Sequence, residues 1–108
     1  MADPGRLTLT VVTPERSVVE RVPCDAVSLP GELGELGILP GHTPLVALLG
    51  VGRVAFTEGG KKTAVAVRGG FVEVAGDAVR VLADVAAAKD VVDATEARRE
   101  IRSQASGL

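Results

Sequence analysis

The 108-residue chain has no tryptophan, no tyrosine and only two phenylalanines, Phe56 and Phe71. Readers of single-stranded nucleic acid stack bases on aromatic side chains, and little here can do so. Cys24 is the only cysteine, which excludes an internal disulfide framework and a thiolate metal cluster and suits a reducing compartment. His42 is the only histidine, so no metal centre built on several imidazoles is expected. Charge of neither sign dominates: 12 basic residues meet 14 acidic ones, for a net charge of -2, and they are spread along the chain. A surface that tracks phosphates needs a basic patch, so no nucleic-acid partner is expected. No apolar run approaches the ~18 residues of a membrane-spanning helix. The most apolar stretch, Pro44 to Phe56, is interrupted by Gly50, Gly52 and Arg53. The first residues, MADPGR, match neither a signal peptide nor an arginine-rich transit peptide.

What remains is aliphatic, with 46% apolar residues that must build the core from Val, Leu, Ile and Ala. Leu7, Leu9 and Val11 alternate with Thr8 and Thr10, the period of a half-buried strand. Further strand-like runs follow at Val18–Val22, Cys24–Leu29, Leu45–Leu49 and Val51–Thr57. Pro23 is expected to bound one of them, and Glu58-Gly59-Gly60-Lys61 reads as a hairpin loop into Thr63–Val67. Gly69-Gly70 is expected to break that strand before Phe71–Ala75, and Gly76-Asp77 to turn into Val79–Leu82. Eight to ten short strands separated by Gly/Pro turns predict a mainly β fold, a sandwich or barrel over residues 1–86.

Residues 87–108 read differently. Asp93-Ala94-Thr95-Glu96 has the spacing of a helix N-terminal capping box, and Ala94, Ala97, Ile101 and Ala105 share one side of the helix that would follow. Only about three turns are available, which is marginal for an isolated helix in water. The expectation is a short C-terminal helical segment that leans on another surface.

The densest motif is Gly34–Val46, GELGILPGHTPLV, which carries three glycines, two prolines and His42. A triad would need an activated nucleophile near His42, and no Gly-x-Ser-x-Gly elbow exists. The glycines do not form a phosphate cradle, because no Gly-Lys-Ser/Thr ending follows. Gly50-Val51-Gly52 lacks the third glycine of a dinucleotide fold. Glu32 and Glu35 are carboxylates on a solvated loop, and Cys24 reads as a small buried hydrophobe. A small enzyme using His42 and Glu35 lacks both nucleophile and metal ligands. The motif shapes backbone, and His42 is expected to fix a Pro-Gly turn or meet a partner.

With Gly69-Gly70-Phe71-Val72-Glu73-Val74 and Val79-Arg80-Val81-Leu82-Ala83-Asp84 following in order, the motif closely resembles the ε subunit of bacterial F-type ATP synthases. The resemblance covers about residues 7–86 well and the remainder loosely. It implies a ten-stranded β-sandwich, a helical C-terminal region and a non-catalytic rotor subunit without cofactor. That subunit sits at the foot of γ on the membrane c-ring and couples proton-driven rotation to ATP synthesis. It meets the catalytic α/β head transiently at most and inserts into no lipid. By the same resemblance Gly31, Glu32, Leu33, Gly34 and Glu35 form a loop facing the c-ring, and His42, Thr43 and Pro44 lie by γ. The expected location is the cytoplasmic face of the bacterial inner membrane, as a peripheral protein.

Two departures from the family qualify this. Members with a C-terminal helical hairpin can extend it to inhibit ATP hydrolysis; one short helix here implies weak or missing inhibition. Some relatives bind ATP through [IL]-D-x-x-R-A, and the matching segment, Val92–Ala97, holds Glu96 at the arginine position. An acid there repels phosphate, so Asp93, Arg98 and Arg99 are expected to bind ATP weakly or not at all. A stand-alone ATP-sensing module is the alternative reading, and Glu96 weighs against it.

Overall fold

The computed structural model describes residues 6–87 and the backbone of Asp90 and Val91. Nine strands run in chain order: β1 (Leu7–Val12), β2 (Ser17–Cys24), β3 (Ala26–Gly31), β4 (Gly34–Ile38), β5 (Leu45–Leu48), β6 (Val51–Glu58), β7 (Lys61–Ala75), β8 (Ala78–Ala86) and the two-residue β9 (Asp90–Val91). The described residues contain no helix, and the expected C-terminal helix lies outside them.

The strands hydrogen-bond in the order β2-β1-β8-β7-β6-β3-β4, with β5 and β9 also paired to β7. This ladder folds into two layers because β7 serves both. Its first half pairs with β6 from Lys61 to Arg68, and its second half pairs with β5 from Phe71 to Val74. Strand β8 pairs with the second half down to Ala75↔Ala78 and reaches only Arg68 and Val67 of the first half, the latter opposite Ala86. One layer is therefore β2-β1-β8-β7-β5, and the other is β7-β6-β3-β4.

The alternation of buried and exposed residues explains why the layers stick. Leu7, Leu9 and Val11 of β1 are wholly buried while Thr8, Thr10 and Val12 between them are half-buried. Val79 and Val81 of β8, Val72 and Val74 of β7, Val27 and Leu29 of β3, Val54 and Phe56 of β6 and Val65 of β7 join them in one cluster. No polar or charged residue among those described is buried. Each such aliphatic side chain contributes about 1.5–3 kcal/mol by leaving water.

Three sequence expectations need correction. Among the described residues the nine strands fall within the expected eight to ten, but Gly69-Gly70 does not end a strand; β7 continues through it for 15 residues. Both glycines have positive φ, 66° and 102°. Two consecutive residues of that hand bend the strand at the point where it leaves one layer for the other, while its register with β8 continues. Pro23 lies inside β2 rather than at its boundary, which is permitted because β2 is an edge strand and needs no outward N–H. The break falls at Asp25, whose carboxylate accepts the Gly59 N–H at 3.1 Å and stands 3.3 Å from Arg6 Nε. Finally, Gly34–Ile38 is a strand, β4, although its glycines and short length gave no strand signal.

Candidate functional site

The motif Gly34–Val46 runs from one end of the sandwich to the other and back. Strand β4 pairs with β3 from Gly31↔Gly34 to Val27↔Ile38, which leaves only Glu32 and Leu33 as the hairpin turn. The expected loop Gly31–Glu35 is thus a tight tip with Gly31, Gly34 and Glu35 in its strands. Leu33 is fully exposed (102%), and Glu32, Gly34 and Glu35 are exposed around it. A leucine so placed removes nothing from water, so it adds no stability to the fold.

The tip is tied to β5. Gly31 bridges Leu49, Glu32 N–H donates to the Leu48 carbonyl at 2.9 Å, and Gly50 N–H donates to the Pro30 carbonyl at 2.8 Å. Between the tip and β5 lies a groove of about 440 Å³, lined by Gly31–Leu36 and by Val46, Ala47 and Leu48. Val46 and Leu48 are 69% and 61% exposed. From Leu48 an outward-facing apolar row continues across the layer: Leu48 opposite Phe71, Phe71 opposite Leu82, and Leu82 opposite Val12. The neighbouring row reads Val46, Glu73, Arg80 and Thr10. An apolar stripe with a polar row beside it has the composition common at interaction surfaces.

His42 sits at the far end of β4. Leu39-Pro40-Gly41-His42 forms a turn closed by His42 N–H to the Leu39 carbonyl at 3.1 Å, with Pro40 second and Gly41, at φ 83°, third. That is the residue order of a type II turn, in which the third position needs positive φ. His42 Nδ1 lies 2.7 Å from the Thr43 carbonyl oxygen. A carbonyl only accepts, so Nδ1 carries the proton and Nε2 is left for another group. Gly41 N–H donates to Asp77 Oδ1 at 2.7 Å, and the Asp77 carbonyl accepts the Thr8 N–H at 2.9 Å. Asp77, itself at φ 65°, thereby fixes the His42 turn to the β7–β8 turn.

The structure therefore brings Gly31, Glu32, Leu33, Gly34 and Glu35 together at one end, and His42, Thr43 and Pro44 together at the other. It does not bring Glu35 and His42 together, because β4 separates them. Among the described residues no group of three or more His, Cys, Asp or Glu stands in position for a metal. Cys24, buried beside β1, is far from reactive: burial pushes its thiol from 9.0 up to about 11. Asp93, Arg98 and Arg99 lie outside the described residues. Sequence reading missed Val46, Leu48, Phe71 and Leu82, which resemble core residues by type, and Asp77, whose contact spans 36 positions.

The comparisons with known proteins agree with one another. The model of the ATP synthase Delta/Epsilon chain β-sandwich domain matches residues 6–89. The chain is 46% identical over 106 residues to the ATP synthase epsilon chain of Solibacter usitatus, covering 97% of this chain and 78% of that one. It is 43% identical over 107 residues to that of Symbiobacterium thermophilum (96% and 75%) and 41% over 97 residues to that of Myxococcus xanthus (90% and 71%). In fold it is similar to a chain of the Euglena gracilis mitochondrial ATP synthase, with a TM-score of 0.74, 24% identity and coverage of 100% and 69%. A chain of the Tetrahymena thermophila central stalk and c-ring matches with a TM-score of 0.64 at 12% identity, covering 98% and 92%. Matched over most of its length by the family model and by bacterial relatives above 40% identity, the chain belongs to the epsilon-chain family of the F-type ATP synthase.

Proposed function

We propose that this chain is a non-catalytic rotor subunit that holds the γ subunit on the membrane c-ring, so that proton-driven rotation reaches the catalytic head. The observation that carries this is the β3–β4 tip, where Leu33 is fully exposed between two exposed carboxylates, Glu32 and Glu35. Nothing inside the chain gains from that arrangement, whereas a partner loop with basic or amide side chains would gain register from the acids and desolvation from the leucine. His42, Thr43 and Pro44, at the opposite end and stiffened by the Pro40-Gly41 turn and by Asp77, face γ in this reading. Preset loops lose less freedom on binding, and a stiff contact suits the transmission of torque.

In this reading the sandwich, residues 1–86, makes the attachment and residues 87–108 form the tail. The protein works at the cytoplasmic face of the bacterial inner membrane as a peripheral subunit; no helix among the described residues is long and apolar enough to cross a membrane. The test is co-purification from bacterial membranes of the γ and c subunits with a tagged copy of the chain, in gentle detergent and moderate salt. Recovery of both is expected, and a tagged chain that returns alone would overturn the assignment.

A further inference from the structure

Strand β5 has one partner on one side and an unfinished edge on the other. Its pairs with β7 run from Leu45↔Val74 to Leu48↔Phe71, and Leu49 N–H donates to the Gly70 carbonyl in the same register. Backbone groups alternate sides along a strand, so those of Leu45 and Ala47 point to β7, and those of Val46 and Leu48 point away from it. The Leu48 carbonyl is taken by Glu32 N–H. The Val46 N–H and C=O and the Leu48 N–H have no partner among the described residues, and β4 is also an edge, bonded only to β3. The incoming β3 chain begins a ladder with β5 at Gly31↔Leu49 and then turns off at Glu32-Leu33. The ladder is left open where the groove begins.

The groove itself states what would fill it. Its floor is apolar and half-buried at Leu36 and Ala47, its outer lip is Val46 and Leu48, and its residues include two carboxylates and no cation. We propose that an extended segment of a protein partner adds to β5 as a further strand in this groove. The segment carries an apolar side chain toward Leu36 and Ala47 and a lysine or arginine toward Glu32 and Glu35. Main-chain bonds to Val46 and Leu48 supply affinity, and the alternate side chains supply selection. This deepens the rotor reading and rests on it, since the same tip residues meet the partner. It also gives a use to an open edge, which soluble proteins otherwise cover or charge.

The experiment is hydrogen–deuterium exchange on the full chain, alone and rebound to epsilon-depleted ATP synthase from a bacterial relative. Segment 45–49 should gain about two slow amides on rebinding, those of Val46 and Leu48, because its other amides already face β7. Val46→Pro should melt as the unaltered chain does, since an edge residue can lose an outward N–H, yet rebind at least tenfold more weakly. Glu32→Gln with Glu35→Gln should weaken rebinding and flatten its salt dependence. Rebinding with both amides still fast would overturn strand addition and leave the rotor reading standing. Slow amides in the isolated chain would assign the edge to this chain's own tail, or, if they slow with rising concentration, to a second copy, and either result overturns the proposal. Failure of the unaltered chain to rebind would overturn both readings together.

Discussion

At the scale of single residues, two glycines in β-strands separate requirement from tolerance. Gly70 has φ 102°, and a Cβ there would collide with the Leu82 carbonyl oxygen and the Ala83 backbone. Gly37 has open space around it. Gly70→Ala should cost about 3 kcal/mol or more in urea unfolding, whereas Gly37→Ala should be neutral or stabilising by about 0.5 kcal/mol. Cys24 gives a second residue-level signature. Its thiol is raised from 9.0 to about 11 by burial first, with Arg6 pulling it down and Asp25 and Glu58 adding to the rise. The unfolded chain releases this proton near pH 9 while the folded chain keeps it to about 11. The stability linked to it is thus whole below pH 9 and is lost as pH climbs through 11. Cys24→Ala should flatten the decline of stability between pH 9 and 11 by up to about 2–3 kcal/mol, measured by denaturant titration at each pH.

At the scale of elements, the β3–β4 hairpin divides its work between its two ends. Its base buries Val27, Leu29 and Ile38 in the shared core, and its tip exposes Leu33 completely. Leu33→Ser should therefore leave the unfolding free energy within about 0.5 kcal/mol of the unaltered chain. The same change should weaken attachment to the rotor by about tenfold, read by quantitative co-purification or rebinding to epsilon-depleted enzyme. Equal losses of stability and attachment would show that the tip serves the fold instead. The hairpin was only half legible beforehand. Alternation marks Val27 and Leu29 as a strand, but Gly34 and Gly37 interrupt β4, and no local pattern distinguishes a glycine-rich edge strand from a loop.

At the scale of the whole molecule, β7 belongs to both layers, so neither layer can lose its strands alone. One cluster of aliphatic side chains spans them. Unfolding of the described sandwich should be a single transition, with circular dichroism and calorimetry giving coincident midpoints and equal enthalpies. Leu9→Ala, at the centre of one layer, should lower stability by about 2–5 kcal/mol and shift both probes together. Separate midpoints would mean that the layers fold independently.

The sequence by itself determined the class of the fold, its aliphatic core and its family. Period-2 alternation, Gly/Pro turns and three ordered motifs are local features, and local features survive translation into structure. It also marked the Pro40-Gly41-His42 stretch as a turn, since turn residues act through their own φ and ψ. Only the tertiary structure decided that Gly69-Gly70 bends a strand instead of ending it, because the bend exists only when β5 and β6 compete for opposite halves of β7. It alone set Glu35 and His42 at opposite ends of β4, held the His42 turn through Asp77, and turned Val46, Leu48, Phe71 and Leu82 outward. A side chain's face depends on which strands pair and in what register, and those pairings join residues that are distant in the chain.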